Sequence, residues 1–173
     1  MRRIAAILLV LAIPAFAAEP EKSLTIFVSP KAKTFFVTFN PAKWTGDKSC
    51  PEASELCLKH RQLPASVVVA AGREELPPFR LHEIATQTAT AGMANAKIIS
   101  EQRKTVNDVE VLAVRAEGMM DAEKLTTYGY YFVGKQGYVF FMSFTPTPSF
   151  AACEHDLTEM LDGLNIVKQP DAP

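Results

Sequence analysis

Cysteine and histidine are the side chains of this sequence best suited to metal binding or nucleophilic chemistry, and three of each occur among its 173 residues. Cys50, Cys57 and His60 are close enough in sequence to supply three metal ligands. A structural zinc site usually takes four ligands, often as two close pairs, and no second pair lies near these residues. In an oxidising compartment, two cysteines this close together form a disulfide. We therefore predict a Cys50–Cys57 disulfide that closes a small loop, and we predict no metal site.

The run Cys153-Glu154-His155-Asp156 also places a nucleophile, a base and an acid side by side. Its surroundings predict a helix, in which residues two positions apart point in diverging directions. Cys153 then shares a face with Phe150 and Leu157 and is expected to be a buried, unreactive thiol, whereas His155 faces solvent. A catalytic pair between Cys153 and a more distant histidine stays open, although no motif supports it.

Other catalytic signatures are missing from the sequence. It contains no G-x-S-x-G elbow, no phosphate-binding loop of the Walker type and no H-E-x-x-H pair. The acidic residues Glu74 and Glu75, and those between positions 110 and 123, lie in loops, turns and a strand, where we expect them to be solvated. The sequence therefore predicts no catalytic residue and no cofactor.

The candidate binding residue is Trp44, the one tryptophan of the chain. It follows a strand-like run that ends at Pro41, because proline cannot donate a hydrogen bond to a strand ladder. Large aromatic side chains most often serve packing, which would make Trp44 a lid over the edge of the core. The alternative is that Trp44 forms the floor of a binding groove.

The first residues have the pattern of a secretory signal peptide. Arg2 and Arg3 form a basic start, Ile4–Phe16 is apolar, and Ala15-Phe16-Ala17 fits a cleavage site. The alternative is an uncleaved anchor helix, but the apolar run is shorter than the ~20 residues that span a bilayer. We expect cleavage after Ala17, a single domain over residues 18–173 without a membrane anchor, and a periplasmic or secreted location.

The charge of the chain argues against two classes of partner. The formal net charge is −1, and removing the two arginines of the signal peptide changes it to −3. A mildly acidic chain without a basic run lacks the electrostatic footprint that binds nucleic acid or anionic lipid. The expected partner is instead an envelope protein or a small ligand, and the sequence does not identify which.

These candidate residues are positioned by a predicted β-hairpin over Lys124–Thr145. Two runs rich in Tyr, Phe and Val flank the short connection from Gly134 to Gly137, which is a strong hairpin signal. The second run is apolar on both faces, with Tyr138, Phe140, Met142 and Phe144 on one face and Val139 and Phe141 on the other. A strand of this kind is expected at the centre of a sheet that is covered on both sides.

Further elements follow from periodicity and from turn residues. The turn-rich stretch Thr45–Arg61 is predicted as a loop. A meander of four strands is predicted from Lys97 to Thr145, with a turn at Asn107 and Asp108, and an amphipathic helix is predicted after Ser149, stopped by Gly163. The other predicted elements are strands at Leu24–Ser29, Thr34–Asn40 and Leu63–Ala71, a helix at Arg80–Ala96 and a short last strand at Asn165–Val167.

With these elements in order, the chain resembles the PsbP-like superfamily. That superfamily includes the extrinsic PsbP proteins of photosystem II, the bacterial DcrB-like periplasmic proteins and a Ran-binding nuclear import factor. The resemblance rests on Phe35–Trp44 (a hydrophobic strand, Pro and Trp), on the meander turn, on the aromatic hairpin Tyr128–Phe144 and on the closing helix. The resemblance covers Leu24 to Val167. Within the superfamily, the chain looks like the DcrB-like bacterial periplasmic branch.

The resemblance implies an α+β fold in which an antiparallel β-sheet is flanked by helices, as in a PsbP-like α/β/α sandwich. It also implies a non-enzymatic binding or assembly module, because the superfamily has no shared catalytic set. We therefore expect an exported module of the cell envelope that binds a protein partner or a small ligand. The alternatives are a secreted hydrolase with an unrecognised site and a purely structural envelope component.

Overall fold

The computed structural model describes residues 23–30 and 32–167. The predicted signal peptide, residues 1–17, lies outside this part of the chain. Within it there are ten β-strands and two α-helices, and a single 3-10 turn precedes each helix, at Pro78–Arg80 and Thr147–Ser149. The strands are β1 (Thr25–Val28), β2 (Phe35–Phe39), β3 (Trp44–Gly46), β4 (Leu56–His60), β5 (Ser66–Gly72), β6 (Ala94–Val106), β7 (Val109–Met120), β8 (Glu123–Gly134), β9 (Gly137–Pro146) and β10 (Leu164–Ile166), and the helices are α1 (Leu81–Thr90) and α2 (Phe150–Asp162).

Seven antiparallel strands form the larger sheet, in the order β3-β4-β5-β9-β8-β7-β6. The central strand is β9, as its two-sided apolar pattern predicts. It pairs with β8 through the predicted hairpin, in which Gly134 lies opposite Gly137. Strands β6 to β9 each pair with their neighbour in sequence, which confirms the predicted meander.

Two turns of the meander use left-handed backbone at non-glycine residues. Asn107 and Asp108 have φ of 46° and 64°, and Asp121 and Ala122 have φ of 49° and 67°. Two successive left-handed residues match the twist of the flanking strands in a two-residue hairpin. The first turn is at the predicted place, and the second follows directly after β7, which continues to Met120.

One face of the large sheet is covered by α2 and by a smaller antiparallel sheet of order β1-β2-β10. Phe35 and Val37 of β2, Leu157 and Leu161 of α2, and Phe141 of β9 are buried together there. Burying a side chain of this size contributes about 1.5–3 kcal/mol. This layer therefore holds the main core, and the predicted apolar stripe of α2 is confirmed.

The other face is covered by α1, which packs over β7 and β8. Ala85 and Ala89 face the sheet and are fully buried against Val114 and Tyr131. Small side chains at these positions let the helix backbone approach the strands closely. The Thr127 hydroxyl donates a 2.7 Å hydrogen bond to the Ala89 carbonyl, which satisfies one of the carbonyls left unpaired at the end of the helix.

Two sequence predictions were wrong in detail. The stretch Thr45–Arg61 contains most of β3 and all of β4, because β4 pairs on both sides, with β3 and with β5. The helix expected to reach Ala96 ends at Thr90, because Gly92 has a φ of 76° and the chain then enters β6. Pairing of β6 with β7 outweighs the weak helical pattern beyond Thr90.

The end of α2 touches the small sheet at Gly163. The Thr38 backbone N–H donates a 2.9 Å hydrogen bond to the Gly163 carbonyl, and the Thr38 hydroxyl donates another at 3.3 Å. A Cβ atom on Gly163 would lie 2.0 Å from the Thr38 carbonyl oxygen, so no other residue fits without a backbone shift. Gly163 therefore ends the helix and also permits the contact between helix and sheet.

We predict that Gly163→Ala lowers the free energy of unfolding by about 1–3 kcal/mol, because the added methyl group must push backbone atoms apart. The measurement is denaturant unfolding followed by circular dichroism. Gly46→Ala is the matched control, because no atom lies within 4 Å of a Cβ built there. Its expected change is within about 0.5 kcal/mol. Equal effects for the two variants would contradict the close contact at Gly163.

Candidate binding site around Trp44

Trp44 begins β3 and is buried, with 2% of its surface exposed. It lies opposite His60 of β4, and the two rings meet edge to face with centroids 4.9 Å apart. Trp44 belongs to the same core as Val37 and Met160. The packing role predicted for Trp44 is thus present in the structure.

A cavity of about 330 Å³ opens beside Trp44, at the junction of the small sheet with the end of α2. Its volume is at the lower end of the range for small-ligand pockets. Apolar side chains line one part of it, and Glu159 and Asp162 add two acidic groups. The full lining is Leu24, Thr38, Phe39, Asn40, Trp44, Glu159, Met160, Asp162 and Gly163.

An ion network adjoins the cavity through Glu159, which belongs to both. The Lys43 ammonium donates to Asp156 at 2.7 Å and to Glu159 at 2.6 Å, and these three side chains are 20–29% exposed. Hydrogen bonds to the two carboxylates raise the pKa of Lys43. Burial opposes ionisation of Asp156, but the hydrogen bond and charge of Lys43, together with His60, outweigh burial and lower the pKa of Asp156. The network therefore joins the β2–β3 connection to α2 by charge.

His60 completes the network in one defined tautomer. Its Nδ1 atom accepts hydrogen bonds from the backbone N–H groups of Gln62 and Leu63, at 3.2 and 3.0 Å. A ring nitrogen that accepts carries no proton, so the proton is assigned to Nε2, which donates to Asp156 at 3.1 Å. Both nitrogens are engaged, so His60 is placed to hold a turn rather than to transfer a proton.

Three potential metal ligands meet on α2, because His155, Asp156 and Glu159 have ligand atoms within 4.8 Å of one another. The Lys43 ammonium already lies between the two carboxylates and supplies their positive charge. A metal ion at the same carboxylates would be repelled by that ammonium. The arrangement is therefore that of an ion pair and does not fit a metal centre.

The predicted disulfide is present, with Cys50 and Cys57 joined and their Cα atoms 5.4 Å apart. Cys57 and His60 are separated by an odd number of positions on β4, so their side chains point to opposite faces of the sheet. The three-ligand alternative with Cys50 is therefore ruled out by strand geometry. The disulfide joins the β3–β4 connection to β4, and its Cys57 lies on the face of β4 opposite to His60.

Cys153 is fully buried, as its helical face predicts, and its sulfur lies 3.6 Å from the Thr145 hydroxyl. His155 is exposed. His82 is also near the surface, where its Nδ1 atom lies 2.7 Å from Glu101. Among residues 23–30 and 32–167, no serine, threonine or cysteine side chain is hydrogen-bonded to a histidine.

Lys43, Asp156 and Glu159 are site residues that sequence reasoning missed. Two signals could have found them. Lys43 directly precedes Trp44, and Asp156 and Glu159 are three positions apart, which places them on one face of the helix. Pairing between Lys43 and that face joins residues more than a hundred positions apart, and no local pattern reports such a contact.

Comparison with known proteins identifies the architecture. The solution structure of cyanobacterial PsbP (CyanoP) from Synechocystis sp. PCC 6803 matches with a TM-score of 0.57 at 9% identity, over 90% of this chain and 98% of that chain. The chain has the PsbP-like fold. At this identity the likeness establishes the fold and nothing more.

Other solved structures share this architecture. LpqN of Mycobacterium tuberculosis, which is involved in cell envelope biogenesis, matches with a TM-score of 0.54 at 10% identity, over 86% of this chain and 87% of that one. The Ran-binding protein Mog1p of Saccharomyces cerevisiae matches with a TM-score of 0.51 at 10% identity, over 86% and 97%. No family model and no curated protein sequence matches the chain. No helix in residues 23–30 and 32–167 has the length and hydropathy needed to cross a bilayer.

We predict that Lys43→Met lowers the free energy of unfolding by about 1–2 kcal/mol at neutral pH, because two charged hydrogen bonds are lost and Asp156 stays half-buried. The lowered pKa of Asp156 gives a stabilising contribution that is complete above the unfolded pKa of about 4 and is lost as the pH falls through the folded value. The difference between wild type and variant should therefore shrink below pH 4.

The measurement is urea unfolding at several pH values between 2.5 and 7. Lys48→Met is the control, because Lys48 is an exposed lysine in the β3–β4 connection. We expect its stability to follow wild type at every pH. A Lys43→Met difference that stays constant down to pH 2.5 would mean that Asp156 does not respond to Lys43.

Proposed function

We propose that the chain is an exported, non-enzymatic binding module of the cell envelope. We further propose that a partner protein docks in the cavity beside Trp44 and along the edge of β1. The single observation that carries the proposal is an exposed apolar strand, β1, that leads into this cavity.

Two findings support an extracytoplasmic location. The chain contains the Cys50–Cys57 disulfide. Disulfides persist in oxidising compartments and are rare in reducing ones. The PsbP-like fold is also shared with LpqN, which is involved in cell envelope biogenesis. The predicted signal peptide agrees with both.

Three large apolar side chains on alternate residues are exposed, one directly before β1 and two on it. Leu24, Ile26 and Val28 are 58%, 62% and 61% exposed. Other positions on the same outer face of the small sheet, such as Thr38 and Asn165, carry polar residues. Among the described residues, nothing pairs with the outer edge of β1. An open strand edge with exposed apolar side chains favours pairing with another chain.

The geometry supports docking of an extended segment. Such a segment can add a strand to β1 through main-chain hydrogen bonds, while one of its side chains enters the adjoining cavity. Leu24 lines that cavity and also begins the exposed row, so the two surfaces are continuous. An apolar side chain fits against Phe39, Trp44 and Met160, and a basic neighbour would meet the acidic lining.

The hydrolase alternative lacks comparable support. It requires a nucleophile that is hydrogen-bonded to a histidine. His60 instead uses both ring nitrogens for structural bonds, and the other two histidines lie at the surface. The purely structural alternative predicts self-association, which size-exclusion chromatography of the purified chain would reveal.

We predict that a photo-crosslinking residue at position 26 forms a discrete adduct with one envelope protein in the native host. A crosslinker in place of Ile98 is the matched control, since Ile98 is a partly exposed isoleucine on β6, the edge strand at the far end of the large sheet. Adducts are detected by mass shift on a denaturing gel and identified by mass spectrometry.

A second substitution tests the cavity itself. Leu24→Asp changes an exposed side chain, so its effect on stability should be within about 0.5 kcal/mol. It places a charge at the mouth of the cavity, and we expect the position-26 adduct to disappear. Absence of any adduct at position 26, or the same adducts at positions 26 and 98, would overturn the proposal.

A further inference from the structure

A second cavity, of about 420 Å³, lies at the opposite end of β2 from Trp44. Three cationic side chains line it, and each comes from a different segment. Lys33 belongs to the β1–β2 turn, Arg73 directly follows β5, and Lys135 is in the β8–β9 turn. Ala32, Thr34 and Gln136 complete the lining.

These segments are held against one another by backbone contacts. Gly137 has a φ of 112°, and a Cβ atom there would lie 2.0 Å from the Gly72 carbonyl oxygen and 3.0 Å from the Arg73 Cα. The hairpin turn that carries Lys135 is thus in direct contact with the segment that carries Arg73. Backbone contact therefore holds these two segments of the pocket wall together.

The third segment is also anchored. The backbone N–H of Lys33 donates to the Ser29 carbonyl at 3.2 Å, and the N–H of Val167 donates to the Thr34 carbonyl at 2.7 Å. The buried Ser29 hydroxyl accepts from the Ala32 N–H at 2.9 Å and donates to Glu55 beneath the turn. Lys33 itself has a left-handed φ of 57°, so its position is set by the turn.

The three cations are not neutralised within the described part of the chain. Lys33, Arg73 and Lys135 form no ion pair there, and the acids Glu74 and Glu75 that follow Arg73 are exposed and form none with them. Six other cations of the described residues are paired with carboxylates, namely Lys43, Arg80, Arg103, Lys104, Arg115 and Lys124. Like charges that converge without a counter-charge repel one another, and a bound anion removes that cost.

We propose that this pocket binds a phosphate group. The guanidinium of Arg73 can donate two parallel hydrogen bonds to phosphate oxygens, and the ammonium groups of Lys33 and Lys135 add point charges. The Thr34 hydroxyl and the Gln136 amide supply further donors. Two sources carry this chemistry, a free phosphorylated small molecule and a phospholipid headgroup.

The test uses the chain without residues 1–17 and pyrophosphate as the free probe, with binding measured by isothermal titration calorimetry. We expect saturable binding of one pyrophosphate per chain. Arg73→Gln and Lys135→Gln should each weaken binding about tenfold or more, the factor that corresponds to losing one charged hydrogen bond. Both side chains are near the surface, and unfolding by urea checks that the variants keep their stability.

Lys48→Gln and Lys59→Gln are matched controls, because each removes one exposed lysine remote from this pocket. Equal weakening by the controls would show non-specific attraction and would overturn the proposal. A parallel arm measures co-sedimentation with vesicles of phosphatidylcholine containing phosphatidic acid, against phosphatidylcholine alone. Arg73-dependent binding to the acidic vesicles assigns the lipid source, and Arg73-dependent binding to pyrophosphate alone assigns the free one.

Absence of saturable binding in both arms also overturns the proposal. The outcome is independent of the Trp44 cavity, because none of the lining residues is shared between the two sites. Failure here therefore leaves the docking surface at β1 unaffected, and failure of the crosslinking experiment leaves this pocket unaffected.

Discussion

The close contact between Gly163 and Thr38 is the constraint on which the arrangement of layers depends. It joins the end of α2 to β2, so the small sheet is held over the core that α2 shares with the central strand β9. The same contact forms one wall of the cavity beside Trp44. A bulkier residue at this position would separate helix from sheet, and the packing of the core and the shape of the cavity would change together.

Charge reinforces this contact one turn earlier on α2, where Glu159 lies on the same side as Gly163. Lys43 bridges Asp156 and Glu159, and Asp156 accepts from His60, whose other nitrogen holds the turn after β4. Trp44 is therefore held between Lys43, which precedes it in sequence, and His60, whose ring packs against it. A rigid aromatic wall beside an exposed apolar strand suits recognition of a partner, since little ordering of the site remains to oppose binding.

Local patterns in the sequence were enough to predict the hairpin, the meander, α2 and the disulfide. Each of these depends on residues close together in the chain, such as Asn107 and Asp108 in their turn or Cys50 and Cys57 in their loop. The small sheet was not predicted as a separate sheet, because β2 pairs with β10 across most of the chain. Trp44 was predicted as a candidate binding residue, but the distant residues that complete its cavity, and the whole of the second pocket, were missed for the same reason. The net negative charge of the chain gave no sign of a local cluster of cations. Lys33, Arg73 and Lys135 are far apart in sequence and are brought to one pocket only by the fold.

The claim that the cavity beside Trp44 receives a partner can be tested at Trp44 itself, because it is the one tryptophan of the chain. Incorporation of 5-fluorotryptophan gives a single ¹⁹F resonance that can be followed in unlabelled envelope extract from the native host. The account predicts that the extract shifts or broadens this resonance and that Leu24→Asp abolishes the response. A ¹⁹F resonance with the same position and width in buffer and in extract would contradict it.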